Sequence, residues 1–296
     1  MYILRKWCSI TAVLLLGVFC IIGFALAAGG ASTSSKVEKK PKLDVGYQPT
    51  PYEIVEKMLA MADVRKDDLV YDLGCGDGRV VVMAAKERGA KGVGVDLDPK
   101  RIRESRENAR KAGVADQVRF FQQDLFKTEI GEATVVMLYL WPEVNIRLRP
   151  KLFAELKPGT RVLSHNHDMG EWEPDQYAEI LKHHIYFWVI PANIAGSWTW
   201  PVKMGSRTTD ANLRLDQNFQ KITGTFTIEN STVPITPTSL RGSHLSVSAD
   251  ALIDGEKVTV KLAARAEGNA LHGTMEIPGS GANGVTTWSA ERSKGK

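Results

Sequence analysis

The sequence has little cysteine, and its three cysteines are poorly placed for structural chemistry. Cys8 and Cys20 lie in an apolar N-terminal run, and Cys75 lies alone in a glycine-rich segment. This arrangement offers neither a disulfide framework nor the paired spacing of a zinc site. We therefore expect no disulfide-stapled fold and no bound metal, which agrees with a reducing compartment.

The sequence also has little excess of positive over negative charge. The chain has 38 Lys and Arg against 34 Asp and Glu, a formal net charge of +4, and much of the excess lies near the N-terminus. So small an imbalance gives little support to nucleic-acid binding, and we predict no nucleic-acid partner. With 43% hydrophobic and 24% charged residues, the composition argues against a disordered chain and against many membrane spans.

One long hydrophobic run is present, at residues 7–28, preceded by Arg5 and Lys6. Roughly 20 apolar residues are enough to span a bilayer. Four lysines between 36 and 42 follow the run, and the positive-inside tendency then places the rest of the chain in the cytoplasm. Ala25-Leu26-Ala27 resembles a signal-peptide cleavage site, so cleavage and export to the periplasm is the alternative.

After residue 44, the pattern of predicted helices and strands changes once along the chain. This agrees with the two domains that 296 residues allow. Helical patterns first alternate with short apolar runs, which is typical of βα units that build a parallel sheet. Short alternating strands with Gly, Asn and Asp turns then predict an all-β meander, either a small barrel or a sandwich. We predict a hydrophobic segment at 1–28, a linker at 29–44, a doubly wound, Rossmann-like α/β domain at 45–192, and a small all-β domain at 196–296.

The predicted elements follow from these periodicities. The strands of the first domain are expected at 69–73, 92–96, 118–122, 133–139 and 161–165, with two closing antiparallel strands at 177–181 and 185–190. Helices are expected at 79–88, 99–112 and 142–156. The strands of the second domain are expected at 197–202, 213–215, 222–228, 244–249, 257–262, 271–277 and 285–290, with Trp198, Trp200 and Trp288 in its core.

A glycine-rich turn ends the first strand, in the run Asp72-Leu73-Gly74-Cys75-Gly76-Asp77-Gly78. Glycines permit positive φ and close approach of a ligand. The spacing G-x-G-x-G differs from the G-x-G-x-x-G of dinucleotide folds, and Asp72 suits a cationic ligand better than a pyrophosphate. S-adenosylmethionine (SAM) carries an ammonium and a sulfonium, so we predict that Asp72, Gly74, Gly76 and Gly78 bind SAM; a nicotinamide cofactor is disfavoured.

Two further strands of the predicted sheet also end in acids. Asp96, followed by Leu97, lies about 20 residues after the glycine turn, where a carboxylate can accept both ribose hydroxyls. Asp124 is expected to bind the adenine amino group while Leu125 packs on the ring. The alternative for these acids is capping of the helices that follow.

These motifs, D-L-G-C-G-D-G-R, G-V-G-V-D-L-D and Q-Q-D-L-F, resemble those of the seven-β-strand, class I SAM-dependent methyltransferases. Together with Tyr47-Gln48-Pro49-Thr50-Pro51, they are similar to the membrane-associated protein-lysine methyltransferases of the ATP synthase c subunit and the adenine nucleotide translocase. The resemblance implies a protein substrate, with a membrane protein among the candidates, and attachment to the membrane through the N-terminal segment. It also implies that Tyr47 and Pro49 cover the cofactor; a simple turn before a helix is the alternative.

The fourth strand bears on the methyl acceptor. Its end, Leu138-Tyr139-Leu140-Trp141-Pro142-Glu143, lacks the Asn/Asp-Pro-Pro-aromatic signature of enzymes that methylate amides or adenine. We expect Tyr139 and Trp141 to line the pocket near the transferred methyl, where aromatic faces accommodate a cation. Glu143 is the candidate base for a lysine acceptor, and its alternative is a helix residue that favours the dipole.

The segment 164–168 contains two histidines, His165 and His167, but offers no third metal ligand. We assign it to substrate-side or ordinary loop residues. Two functional alternatives stay open beside a protein-lysine methyltransferase. One is a methyltransferase of a small-molecule or quinone-like acceptor at the membrane, and the other is a non-catalytic, SAM-binding scaffold.

Overall fold

A computed structural model describes residues 46–236, 238–278 and 284–293. The predicted hydrophobic segment and linker lie outside these ranges. Within them, no helix is both long enough and apolar enough to cross a membrane.

The first part of the described chain is a seven-stranded sheet in the order β3-β2-β1-β4-β5-β7-β6. The first five strands run parallel, whereas β7 lies antiparallel to both β5 and β6. Its strands are β1 (Leu69–Leu73), β2 (Lys91–Asp96), β3 (Val118–Gln122), β4 (Val135–Leu138), β5 (Arg161–His165), β6 (Gln176–Ile180) and β7 (His183–Val189). The predicted doubly wound α/β fold is confirmed.

Helices cover both faces of this sheet. They are α1 (Tyr52–Met61), α2 (Arg79–Arg88), α3 (Pro99–Ala112) and α4 (Pro142–Glu155). Apolar residues of α1, α2 and α3 share one buried cluster with the sheet, and those of α4 lie in a second cluster. Local signals set the ends of α3: Asp98 accepts a hydrogen bond from the Lys100 amide at 2.8 Å, and Gly113 ends the helix with φ 74°.

The second part consists of two antiparallel sheets, β11-β10-β9-β8 and β12-β13-β14-β15-β16. Both enclose one apolar core that contains Trp198, Trp200 and Trp288, as predicted. A bridge between Trp198 and Arg292 brings β16 beside β8, and β10 contacts β12 and β13, so the sheets form a barrel-like meander. The strands are β8 (Gly196–Met204), β9 (Arg207–Asn218), β10 (Lys221–Ile228), β11 (Ser231–Pro234), β12 (Thr238–Arg241), β13 (His244–Ile253), β14 (Glu256–Glu267), β15 (Ala270–Glu276) and β16 (Val285–Glu291).

Several predicted strand bounds were wrong in this second part. The strand predicted at 213–215 extends over twelve residues, and β11 and β12 were missed. The polar residues of β9 alternate with buried ones, and backbone pairing with β8 and β10 supports its ends where the side chains give no apolar signal. The strands β11 and β12 have four residues each, too short for a clear alternation.

The two parts contact each other at the turn between β9 and β10. Phe219 packs against Phe153, with ring centroids 5.6 Å apart, and against Trp172 at 6.2 Å. The indole N–H of Trp172 donates to Gln220 Oε1 at 3.0 Å. This junction buries the Trp172 side chain between the parallel sheet and the barrel-like part.

Candidate active site

A cavity opens beyond the carboxyl ends of β1, β2 and β4, where open α/β sheets bind their ligands. Its wall contains most of the predicted cofactor residues. They are Tyr47, Pro49, Asp72, Gly74, Gly76, Asp96, Leu97 and Leu125. Gly78 and Asp124 are not on this wall, although the residues on either side of each of them are.

The glycine turn is tightly packed at two positions. A Cβ atom at Gly76 would lie 2.6 Å from Tyr47 Cε2, and one at Gly78 would lie 2.6 Å from Phe120 Cε1. Both residues have positive φ, 53° and 76°, which side chains rarely adopt. Gly76 therefore lets the turn approach the cavity, while Gly78 allows α2 to begin close to β3.

Asp72 lies at the carboxyl end of β1 and is buried, with 5% exposure. Burial, followed by the negative charges of Asp96 and Asp77, raises its pKa to about 8. Among the described residues, no donor bonds its carboxylate, although it borders the cavity. A buried carboxylate without a partner favours a cationic group, and this fits the charge of SAM.

Asp96 is held by the backbone. Its Oδ2 accepts the amide hydrogen of Gly76 at 2.9 Å, and its Oδ1 accepts that of Asp98 at 2.8 Å. Burial is the main cause of its raised pKa. Each carboxylate oxygen has a second lone pair, so the side chain is fixed on the cavity wall and still able to accept from ribose hydroxyls.

Asp124 has a local role of the capping kind that the sequence left open as an alternative. Its Oδ1 accepts the amide hydrogen of Phe126 at 2.9 Å and so stabilises the turn after β3. The neighbouring residues Gln123 and Leu125 line the cavity instead. An adenine contact by Asp124 stays a prediction.

Tyr47 covers the glycine turn. Its ring lies over Gly76, and the guanidinium carbon of Arg101 lies 3.8 Å from the ring centroid. Burial, followed by the charge of Asp77, raises the pKa of its phenol. This position agrees with a residue that covers the cofactor, a role that stays a prediction.

Of the three predicted catalytic residues, only Tyr139 lines the cavity. Trp141 does not border this cavity; it precedes α4 in an extended conformation, is 48% exposed, and packs on His167 with ring centroids 5.3 Å apart. Glu143 is exposed in the first turn of α4, and it does not border the cavity. Their catalytic roles stay predictions.

The sequence did not single out Thr50 or His183 as site residues. Thr50 is buried and borders the cavity, and its Oγ1 lies 3.1 Å from Nδ1 of His165. His165 Nε2 in turn lies 2.9 Å from His183 Nδ1. The sequence signal that pointed to this region was the histidine-containing segment 164–168. Within the ranges that the structure covers, no three His, Cys, Asp or Glu side chains are arranged to hold a metal.

Comparison with known proteins gives consistent matches. The family model of the ANTKMT methyltransferase domain matches residues 72–176. A protein-lysine N-methyltransferase of Saccharolobus islandicus is 44% identical over 151 residues, which make up 49% of this chain and 94% of that protein. The lysine N-methyltransferase of the ATP synthase c subunit from Mus musculus is 35% identical over 134 residues, or 45% of this chain. The chain spans about half of the mouse protein, 53% of its length.

A solved structure is also similar to about half of this chain. An RNA methyltransferase from Salinibacter ruber, crystallised with S-adenosyl-L-homocysteine, aligns with a TM-score of 0.49 and 52% identity. The alignment covers 50% of this chain and 96% of that one.

Proposed function

This chain belongs to the family of SAM-dependent methyltransferases that includes the protein-lysine N-methyltransferase of Saccharolobus islandicus, and we propose that it methylates a lysine side chain of a protein. The observation that supports SAM as the cofactor is the buried, unpartnered carboxylate of Asp72 on the cavity wall. Membership of this family supports the acceptor half.

The residues divide the work of binding in this proposal. Asp72 attracts the positive charge of the cofactor, and Asp96 accepts from its ribose. Gly76 allows the backbone to approach, and Tyr47 covers the turn from outside. SAM supplies a methyl group that its sulfonium has already activated, so the protein contributes orientation and exclusion of water.

The acceptor enters from the side of Tyr139. This side chain is half-buried on the wall, and its hydroxyl receives a hydrogen bond from Asn166 Nδ2 at 3.3 Å. An aromatic face there accommodates the cationic end of a lysine before that lysine loses its proton. The unperturbed pKa of lysine is about 10.4, so most lysines arrive charged at neutral pH.

The experiment is methyl transfer by the purified protein. The protein is incubated with methyl-labelled SAM and, separately, with a protein extract, an RNA fraction and a lipid extract. We expect label in protein, recovered as methyllysine after hydrolysis. Label in RNA or lipid instead would reject the lysine acceptor, and no turnover with any fraction would favour a non-catalytic scaffold.

Two variants sharpen this test. Asp96→Ala is expected to weaken SAM binding in calorimetric titration and to abolish labelling, because it removes a carboxylate from the cavity wall. Asp116→Ala changes an exposed acid outside the cavity wall and should behave like the wild type. Equal SAM affinity in the two variants would argue against the assigned cofactor site.

We retain membrane anchoring through residues 1–28, with the catalytic part in the cytoplasm, as a proposal that rests on sequence alone. Fractionation of cells that express the chain with and without this segment tests it. Recovery of both forms in the soluble fraction would contradict it.

A further inference from the structure

A chain of hydrogen bonds leads away from the cavity behind Tyr139. Its first member, Thr50, borders the cavity, and its Oγ1 lies 3.1 Å from Nδ1 of His165. Nε2 of His165 lies 2.9 Å from Nδ1 of His183. Two imidazoles and a hydroxyl thus form a continuous path over three residues from different elements of the fold.

The burial along this path changes from one end to the other. His165 is fully buried, and its ring centroid lies 4.0 Å from that of Tyr139. His183, at the start of β7, is only partly buried. The path therefore connects the cavity wall with a side chain that solvent reaches.

His165 is suited to pass protons rather than to hold them. Burial, with smaller contributions from His183, His167 and His184, lowers its pKa to about 4. A neutral imidazole has one N–H and one lone pair, so it can accept a proton on one nitrogen while it releases the proton of the other.

We propose that Thr50, His165 and His183 relay the proton of the incoming ammonium group from the cavity to solvent. This proposal rests on the proposed function, because only an acceptor that arrives charged needs such a path. In this proposal the segment 164–168 takes part in proton transfer through His165, rather than in binding the cofactor.

The protons balance in one concerted shift. The ammonium gives a proton to Thr50 Oγ1, whose own proton moves to Nδ1 of His165. The Nε2 proton of His165 moves to Nδ1 of His183, and His183 releases its Nε2 proton to solvent. The acceptor nitrogen keeps the electron pair that attacks the methyl group. After product has left and water has entered the cavity, the reverse shifts take a proton from solvent at His183 Nε2 and pass one from Thr50 Oγ1 to a cavity water. This water leaves through the open cavity with the proton, and the starting tautomers are restored.

Neighbouring structure holds the path in place. The Thr50 carbonyl accepts a hydrogen bond from Arg79 Nη1 at 3.0 Å. Asn166, with φ 62°, accepts the His184 amide hydrogen at 2.9 Å and so joins β5 to β7 at the level of the histidines. The groups facing His165 are the imidazoles of His167, His183 and His184 and the ring of Tyr139.

Two substitutions interrupt the relay without removing its neighbours. Thr50→Val keeps the shape of the side chain but has no hydroxyl, and Thr50→Ser restores one. His183→Gln keeps a hydrogen-bond acceptor within reach of His165 but cannot pass on a proton. The matched control is His184→Gln on the same strand, whose ring bonds Tyr177 at 2.7 Å outside the path.

The measurement is the rate of methyllysine formation at saturating SAM, followed from pH 7 to 9.5 on the protein band that the wild type labels. We expect Thr50→Val and His183→Gln to lower kcat at pH 7 by roughly 100-fold, the lower end of what positioned proton transfer contributes. The loss should shrink as pH rises, because more of the acceptor arrives neutral. Thr50→Ser and His184→Gln should retain most of the wild-type rate, and SAM affinity should stay unchanged.

The outcomes separate the two proposals. A wild-type protein that forms no methyllysine contradicts the proposed function and the relay with it. A wild-type protein that is active, with relay variants that keep its rate or lose the same factor at every pH, overturns the relay alone. Circular dichroism and unchanged SAM affinity confirm that each variant is folded.

Discussion

At the scale of single residues, three acids with similar sequence positions differ in their hydrogen-bond partners. Asp72, Asp96 and Asp124 each follow or end a parallel strand, yet their carboxylates differ in partners. Backbone amides stabilise Asp96 and Asp124, whereas no donor among the described residues reaches Asp72. The charged form of Asp72 destabilises the ligand-free protein, and the same charge suits a cationic ligand.

We predict that Asp72→Asn stabilises the ligand-free protein at alkaline pH and weakens SAM binding. The folded pKa of Asp72, about 8, lies above its ordinary value of 3.8, so its contribution to stability is present at low pH and is lost as pH rises through about 8. The advantage of asparagine should grow between pH 5 and 8, by at most about 1.4 kcal/mol per pH unit.

Thermal unfolding of both proteins across this range measures the difference. A stability advantage that is constant with pH would contradict a raised pKa at Asp72. Added SAM should reverse the order of stability at pH 8, because it binds the wild type more tightly.

At the scale of elements, the two ends of the parallel sheet have different tasks. The carboxyl ends of β1, β2 and β4 border the cavity. At the opposite end, Asp68 is buried before β1 and pairs with Arg161 of β5. It also accepts from Thr134 Oγ1 at 2.7 Å and from the Arg65 amide at 2.8 Å. This network holds the starts of the central strands together, whereas the cofactor residues lie at the other ends of the strands.

Asp68→Ala should therefore reduce stability without changing the site. Loss of the carboxylate leaves Arg161 and Thr134 without a shared partner, and breaking such a buried pair costs about 3 kcal/mol. Urea unfolding measures the loss, and calorimetric titration with SAM should give an unchanged dissociation constant in the folded variant. The exposed neighbour Asp67 provides the control: Asp67→Ala should leave both quantities as in the wild type.

At the scale of the whole molecule, the turn between β9 and β10 makes several side-chain contacts with the catalytic part. Phe219 and Gln220 sit in one turn and contact Phe153, Trp172 and the carbonyl of Glu173. The 151 residues matched in the Saccharolobus relative make up 94% of that protein, which leaves no room there for a part of this size.

We predict that Phe219→Ala lowers the unfolding temperature and divides unfolding into two transitions in scanning calorimetry. The substitution removes a partly buried aromatic ring from the junction, which costs about 1.5 kcal/mol. Leu252→Ala, at a 55% exposed position of the barrel-like part, should keep the wild-type profile. A single, unshifted transition in the Phe219 variant would show that the junction contributes little to stability.

Local patterns in the sequence determined most of the elements and half of the site. Strands β1, β3 and β5 and helices α2 and α3 have the predicted bounds, because apolar periodicity, capping residues and glycines act within a few positions. Asp72, Gly74 and Gly76 are neighbours in the chain, and Asp96 follows by one βα unit. A single supersecondary motif therefore brings them together.

Contacts between elements place the remaining side chains. The direction of Trp141 depends on how the chain enters α4 from β4. His183 reaches His165 because β7 pairs antiparallel with β5, 18 positions along the chain, a register that no local pattern states. Periodicity reports which face of an element is buried, whereas strand pairing and packing between elements decide which polar groups meet.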